Sequence, residues 1–538
     1  MCVLKSLIFV TCALPMVRTS SLPCVKQSFG SSSIVCVCNA TYCDTVEEES
    51  KLPEGIMTVY STSKTGSRLN KSEHGAKLIS KTDKKLYRKS EQSPDVLYFI
   101  VPRRTAQTIV GFGGTFTDAA GMNVASLPDG AQKNLIESYF GPTGIEYNLG
   151  RIPIASNDMS TDIYSYDFTR GDIYLSKFTI AAYDHLYKLP YIDQAVVASR
   201  RNLSLFASPW SSPDWMKTND NMVGVGTILP KMAKVYADYL GRFLREYESF
   251  MFHGRMWGLT TQSGPSRSCS NDSIPEYQSV CWSPQNMSDW IKYDLKRSLE
   301  DNGYGHIKLF TMDDNVDELD NWRSAFDAIS LNLVDGFAVQ GYHDNVSDDN
   351  TTNYNNASSP MCDMFSLHPD KILLGSEYCI RSRPELGSWE RGADLAKHVF
   401  HTLQNCGSGF THYNLAVDLD GGPSWVYNYA DSPIVVDAKQ AKGGVPVFYK
   451  QPMFYTMGHF SKFITAGSVA IEMFTLEDVP AGIYSVGFMR PDNYIVVVVG
   501  NFGSKGNIVG FRDSRYYFEF SMEASSIHTF IWMHPADA

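Results

Sequence analysis

Between residues 108 and 414 short apolar runs alternate with amphipathic helical stretches, and eight of the runs are of strand type. They cover 108–114, 147–154, 203–208, 256–261, 306–312, 336–341, 371–375 and 409–414. The clearest helix between them covers 230–247, where Met232, Val235, Tyr236, Tyr239, Leu240, Phe243, Leu244 and Tyr247 recur at i, i+3, i+4 spacing behind Pro230. Eight strands separated by helices over ~300 residues point to an α/β fold, the (β/α)8 or TIM barrel, whose catalytic groups stand at the C-terminal strand ends. A doubly wound open sheet is the alternative. Beyond the barrel region the period falls to two: 483–488, 494–499, 515–520 and 526–532 alternate apolar and polar residues, with Gly, Asn and Pro between them. The polar stretch 51–102 carries short β-like pieces, so the N- and C-terminal segments are expected to meet in a β-sandwich beside the barrel.

The N-terminus sets the expected compartment. Met1 and Lys5 precede an apolar run over 6–16 and the small residues Thr19, Ser20 and Ser21, so 1–20 reads as a signal peptide. That run is shorter than the ~20 residues a membrane helix needs, and no later run is longer, so no transmembrane segment is expected. Cys24, Cys36, Cys38 and Cys43 lie close enough together to read as two disulfides stapling a small loop-rich cap, and no His lies nearby to complete a zinc site. Cys269, Cys281, Cys362, Cys379 and Cys406 are scattered and odd in number, so one free thiol is expected. Sequons at Asn39, Asn70, Asn202, Asn271, Asn286, Asn345, Asn350 and Asn356 fit a secretory-pathway glycoprotein, and three of them crowd an Asn/Asp/Ser-rich stretch, 344–359, that reads as an exposed loop. With 47 Lys+Arg against 58 Asp+Glu the net charge is −11, which argues against a nucleic-acid partner. No metal-ligand spacing or phosphate-binding fingerprint occurs, and no cofactor is expected.

Several barrel strands end in polar or aromatic groups: 113–118 with Asp118 after the first, Asn157 and Asp158 after the second, Trp210 after the third, Tyr342 after the sixth and Glu377 after the seventh. Such a rim suits carbohydrate, because aromatic faces cover the C–H faces of a sugar while Asp, Asn and Arg take its hydroxyls. Arg151 and Asp118 are expected to orient the ligand. Glu377, in Gly375-Ser376-Glu377-Tyr378, sets a carboxylate where a strand stops.

On these residues the chain resembles the lysosomal acid β-glucosidase (glucosylceramidase) family. The resemblance runs through SFGSSSIVCVCNATYCD (28–44), GFGGTFTDAA (111–120), YNLGRIPIASND (147–158), LFASPWSSPDWMKTN (205–219), GSEYC (375–379), GGPSWVYNYADSPIVVD (421–437) and FYKQPMFYTMGHFSKFI (448–464). It implies a small Cys-stapled sheet (21–48 with 415–446), a β-sandwich (49–107 with 462–538) and the barrel (108–414 with 447–461). It also implies glucosylceramide as substrate, residence in the lysosome or secretion, and help from a saposin-type activator and an anionic lipid surface.

The family hydrolyses with retention, using a carboxylate nucleophile after the seventh strand and a carboxylic acid/base after the fourth, ~5–5.5 Å apart. Glu377 matches the nucleophile. Where the family has Asn-Glu-Pro this chain has Ser263-Gly264-Pro265, so the acid/base is absent at Gly264. Ser263 replaces an Asn, Gln340 a His, and His412-Tyr413 an Asp-Trp pair; Asp118, Arg151, Trp210, Tyr342, Glu377, Trp425 and Asn428 are kept. The expectation is strongly reduced turnover, since acid/base help is worth ~10²–10⁴-fold. The alternative is a silent relative that holds glycolipid, an activator or a trafficking partner. Asp214 and Glu276 are the carboxylates considered as replacements for the lost acid.

Overall fold

A computed structural model describes residues 21–49, 51–79, 94–269, 276–342, 359–439 and 444–534. The proposed signal peptide, most of the sequon-rich 344–359 stretch and the sequons at 271, 345, 350 and 356 lie outside the described residues. Eight strands close into a parallel barrel: β1 Gly111–Thr115, β2 Leu149–Ile154, β3 Ser204–Pro209, β4 Met256–Thr260, β5 Lys308–Asn315, β6 Gly336–Gln340, β7 Ile372–Glu377 and β8 Gly409–His412. The closed order excludes the open doubly wound sheet. Leu149, Phe206, Phe310, Ala338 and Leu374 pack against one another as one layer of the barrel interior. β1 must approach β2 closely, and only glycine permits it: a Cβ on Gly113 would lie 1.9 Å from the Leu149 carbonyl oxygen.

Helix Ala233–Phe250, entered through the short turn Pro230–Met232, buries Val235, Tyr236, Tyr239, Leu240, Phe243, Leu244 and Tyr247, the stripe that the spacing predicts. Ile56–Ser63 pairs along its length with Ser526–Met533, so chain from before and after the barrel builds one ten-stranded sheet. Its apolar faces enclose a core that includes Met57, Val59, Ile495, Val497, Phe530 and Trp532, forming the β-sandwich. Two of its strands, Val469–Phe474 and Asn507–Arg512, escape the sequence reading; each is short and includes a Gly or a charged residue.

The small sheet contains Lys26–Gln27, Val35–Cys38, Val447–Lys450, Ile434–Asp437 and Val417–Asp418. Cys24–Cys36 and Cys38–Cys43 staple it. Val447–Lys450, assigned to the barrel from sequence, instead pairs antiparallel with Val35–Cys38, because its alternating Val447 and Tyr449 complete an apolar cluster with Val35. Cys269–Cys281 and Cys362–Cys406 form two further bridges, leaving Cys379 as the free thiol among the described residues. No described helix is long and apolar enough to cross a membrane.

Candidate active site

Glu377 is the last residue of β7, and Arg151, wholly buried on β2, lies beside it. The Arg151 guanidinium donates from Nη1 to Glu377 Oε2, from Nη2 to Asp313 Oδ2 (2.8 Å) and Ser263 Oγ (3.2 Å), and from Nε to Ser208 Oγ (3.0 Å). Tyr342 Oη donates to Glu377 Oε1 (2.8 Å). Both carboxylate oxygens of Glu377 are therefore held by donors on other strand ends, which fixes the plane in which it meets a ligand. The two carboxylates facing Arg151 hold its proton still more firmly, against the effect of burial.

Asp313 was invisible to the sequence reading, which ends the fifth strand at Met312. The register of β5 against β6 slips between Met312 and Asp314, and both Met312 and Asp313 have left-handed backbone, with φ of 71° and 55°. A bulge of this kind re-aims a side chain, here turning Asp313 onto Arg151, Thr260 Oγ1 (2.8 Å) and Ser376 Oγ (2.6 Å). Two non-glycine residues in that region cost of order 1–3 kcal/mol each, and the buried network offsets the strain.

A cavity partly open to solvent lies over Glu377. Of the residues marked from sequence, Trp210, Ser263, Gly264, Gln340, Tyr342, Glu377, Tyr413 and Asn428 line it. Gln340 Nε2 donates to Asp313 O (3.0 Å) and reaches Ser263 Oγ (3.3 Å), tying together two of the substituted positions. Asp118, Arg151 and Trp425, also marked from sequence, do not line the cavity. Asp118 starts helix Asp118–Ala125 and faces Lys188 Nζ (3.3 Å) while accepting from Tyr164 Oη (3.0 Å) and from Ser160. The Trp425 indole donates to Asn157 O (3.0 Å), and its backbone N–H to Ser160 O (2.8 Å). Both residues clamp the 157–160 loop from behind.

That loop presents Asp158, a lining residue that the sequence reading marked only as a strand end. Asp158 accepts from Tyr413 Oη (2.5 Å) and Asn428 Nδ2 (2.7 Å), and burial raises its pKa. Trp210 stacks on Tyr413 with ring centroids 6.1 Å apart, and the Arg151 guanidinium lies 4.7 Å from the Trp210 ring. A carboxylate, an amide and a broad aromatic face converge as a sugar ring requires. The lining also includes Arg267, Tyr277, Cys379 and Arg381, none of them expected from sequence. Burial pushes the Cys379 thiol up to about 12, so it is not a nucleophile at physiological pH. His412, at the end of β8, is buried outside the cavity lining; burial pushes its pKa down to about 3, which keeps it neutral.

At the fourth strand end there is a gap. Gly264 has φ of 57°, its N–H donates to Asp313 O (2.9 Å), and a Cβ built on it meets nothing within 4 Å. The lining holds two carboxylates, Glu377 and Asp158, and the second is already engaged by Tyr413 and Asn428. Asp214 is far enough out to pair with exposed Arg170 (3.4 Å), and Glu276 is exposed; neither lines the cavity.

The segment after Gly264 is held by Asp314, whose Oδ2 accepts from the Ser266 N–H (2.7 Å). Burial raises the Asp314 pKa to about 6, against its backbone hydrogen bonds. The folded state thus binds a proton that the unfolded state has lost between about pH 4 and pH 6, so stability falls as pH rises through that window. Replacing Asp314 by Asn is expected to flatten this slope, by roughly 1–3 kcal/mol across the window. Unfolding midpoints at pH 4.5 and 7 check it, and an unchanged slope would remove Asp314 as its source.

A closed parallel barrel with a strand-end glutamate gripped by an arginine and a tyrosine, beside a polar and aromatic cavity, defines a glycoside hydrolase scaffold. The model of the glycosyl hydrolase family 30 TIM-barrel domain matches residues 109–464, and that of the family 30 beta sandwich domain matches 467–530. The chain is 35% identical to lysosomal acid glucosylceramidase of Mus musculus over 522 residues, covering 95% of each chain. It is 34% identical to putative glucosylceramidase 3 of Caenorhabditis elegans, again over 95% of each. Among solved structures, SrfJ from Salmonella typhimurium superposes with a TM-score of 0.78 at 23% identity, over 89% of this chain and all of that one, a likeness of fold. The protein belongs to the glucosylceramidase family.

Proposed function

We propose that the protein binds glucosylceramide in this cavity, with Glu377 able to attack the anomeric carbon, and that it turns the lipid over slowly because no acid stands at Gly264. Attack forms a glucosyl ester on Glu377 and breaks the bond to ceramide, whose oxygen departs as a strongly basic alkoxide unless it is protonated. The ester then waits for water that no base activates. The observation that carries this reading is the Arg151–Glu377–Tyr342 arrangement beside an open position at Gly264. In this reading Ser263, Gln340, Tyr342, Tyr413, Asp158, Trp210 and Asn428 surround the glucose, and Arg151 holds Glu377 from beneath. The four disulfides and the lysosomal relative favour the secretory pathway and the lysosome as its location, with a saposin-type activator and an anionic lipid surface delivering the substrate.

The test is release of dinitrophenol from its β-glucoside at mildly acidic pH, with and without sodium azide and alongside Glu377→Gln. This leaving group needs no acid, and azide needs no base. Acceleration by azide, absent in Glu377→Gln, is the expected result. No product in either condition would leave a silent binding protein, and brisk azide-independent release of glucose from glucosylceramide itself would mean that another group supplies the proton.

A further inference from the structure

Two of the lining residues that the sequence reading did not mark, Arg267 and Arg381, are cations. Arg267 follows Gly264 by three residues, on the turn Arg267–Cys269. That turn is held by Ser268 N–H to Gly264 O (3.2 Å), Cys269 N–H to Ser266 O (2.9 Å), Trp322 Nε1 to Ser266 Oγ (2.9 Å) and the Cys269–Cys281 bridge. Arg381 comes from the segment after β7, four residues beyond Glu377, and its guanidinium lies over the Tyr342 ring at 4.0 Å. Tyr277, half-buried in the same lining, feels the charges of both arginines. The carboxylates of the lining each have two donors, whereas neither Arg267 nor Arg381 makes an ion pair or a side-chain hydrogen bond with a described residue. Two guanidiniums, that of Arg267 three residues past Gly264 and that of the exposed Arg381, therefore line the same cavity as Gly264.

We propose that Arg267 and Arg381 form an oxyanion subsite in the space that the missing carboxylate leaves, and that this subsite takes a phosphate-like group as leaving group and as acceptor for the glucosyl unit on Glu377. The proposal rests on the reading of the cavity as a glucose pocket with a working nucleophile. An oxyanion removes both needs for the absent residue. Departing phosphate is a far weaker base than an alkoxide and leaves without a proton, its charge met by the arginine forks. In the return step hydrogen phosphate attacks the anomeric carbon with an oxygen already deprotonated, and the bond between that carbon and Glu377 breaks. The glutamate recovers its electron pair, and β-glucose 1-phosphate departs carrying the phosphate proton. Atoms and charge balance with no general base.

Two arms test the subsite and the pocket separately. In the first, calorimetry compares methyl β-glucoside with β-glucose 1-phosphate on the full chain and on the Arg267→Gln and Arg381→Gln variants, whose melting temperatures report folding. The phosphate ester is expected to bind about ten-fold tighter or more, and that ratio to fall towards one in either variant. Equal affinities in the unsubstituted protein overturn the subsite while the glucose pocket stands; binding of neither ligand overturns the pocket and the subsite with it. In the second arm, inorganic phosphate is added to the dinitrophenyl β-glucoside reaction. Faster dinitrophenol release with β-glucose 1-phosphate as product supports the exchange, whereas acceleration by azide and none by phosphate refutes it and leaves Glu377 as a live nucleophile.

Discussion

Gly264→Glu is expected to raise release of glucose from glucosylceramide by about 10²–10⁴-fold, the usual worth of a positioned acid/base. Room exists, because a Cβ at this position meets nothing within 4 Å. The backbone is the obstacle: at φ of 57° an L-residue costs roughly 1–2 kcal/mol, so the variant is also expected to melt lower. Charge is the second obstacle. Arg267 and Arg381 line the same space and favour an ionised glutamate, whereas the first chemical step needs it protonated. The gain is therefore expected to be greatest at low pH and to extend towards neutral pH when Arg267→Gln is added. Glucose release measured across pH checks both parts. A folded Gly264→Glu variant that still turns over the dinitrophenyl substrate, yet gains nothing on glucosylceramide, would show that the missing carboxylate is not what limits the reaction.

Arg151→Leu is expected to cost about 3–5 kcal/mol of stability, the range for removing one partner of a buried ion pair. Arg151 and Asp313 are wholly buried, and Glu377 nearly so, and the substitution leaves both carboxylates inside the barrel without their shared cation. Asp313 would then also pull on Thr260 and Ser376 without balance, so strain should spread to β4 and β7. Adding Asp313→Asn is expected to return part of the loss, since it removes one of the stranded charges. Urea midpoints of the two variants decide this; a loss below about 1 kcal/mol for Arg151→Leu would mean that water reaches the site and screens the pair.

The barrel was legible because each strand is a short apolar run bounded by a change of period, and the strand-end glutamate was legible because β7 stops at it. Gly264 was legible as a departure from the family's motif once the fourth strand was in register. The helix 230–247 declared itself through spacing, since an 18-residue stripe of large apolar side chains has few other uses. Asp313 was missed for a physical reason: a bulge depends on backbone dihedrals, and two left-handed non-glycine residues leave no mark in the residue types. The partners of Asp118 were not legible because order along the chain cannot say which way a side chain turns at a helix start. It points to Lys188 and the 157–160 loop, and Asp158 takes the place beside the cavity.

Sequence alone thus determined the architecture, the disulfide-bearing N-terminal cap, a glutamate at the end of the seventh strand and a glycine after the fourth, because these follow from periodicity, residue type and position relative to a strand end. The tertiary structure alone decided what surrounds them. Residues as distant as 151, 313 and 377 share one charge network, and 267 and 381 come to line one cavity, only after the barrel closes and brings strand ends from opposite parts of the chain within hydrogen-bond range. Whether a charged side chain there is a tether or an open recognition group depends on which partners that closure supplies: Arg151 meets two carboxylates, while Arg267 and Arg381 line the cavity beside Gly264.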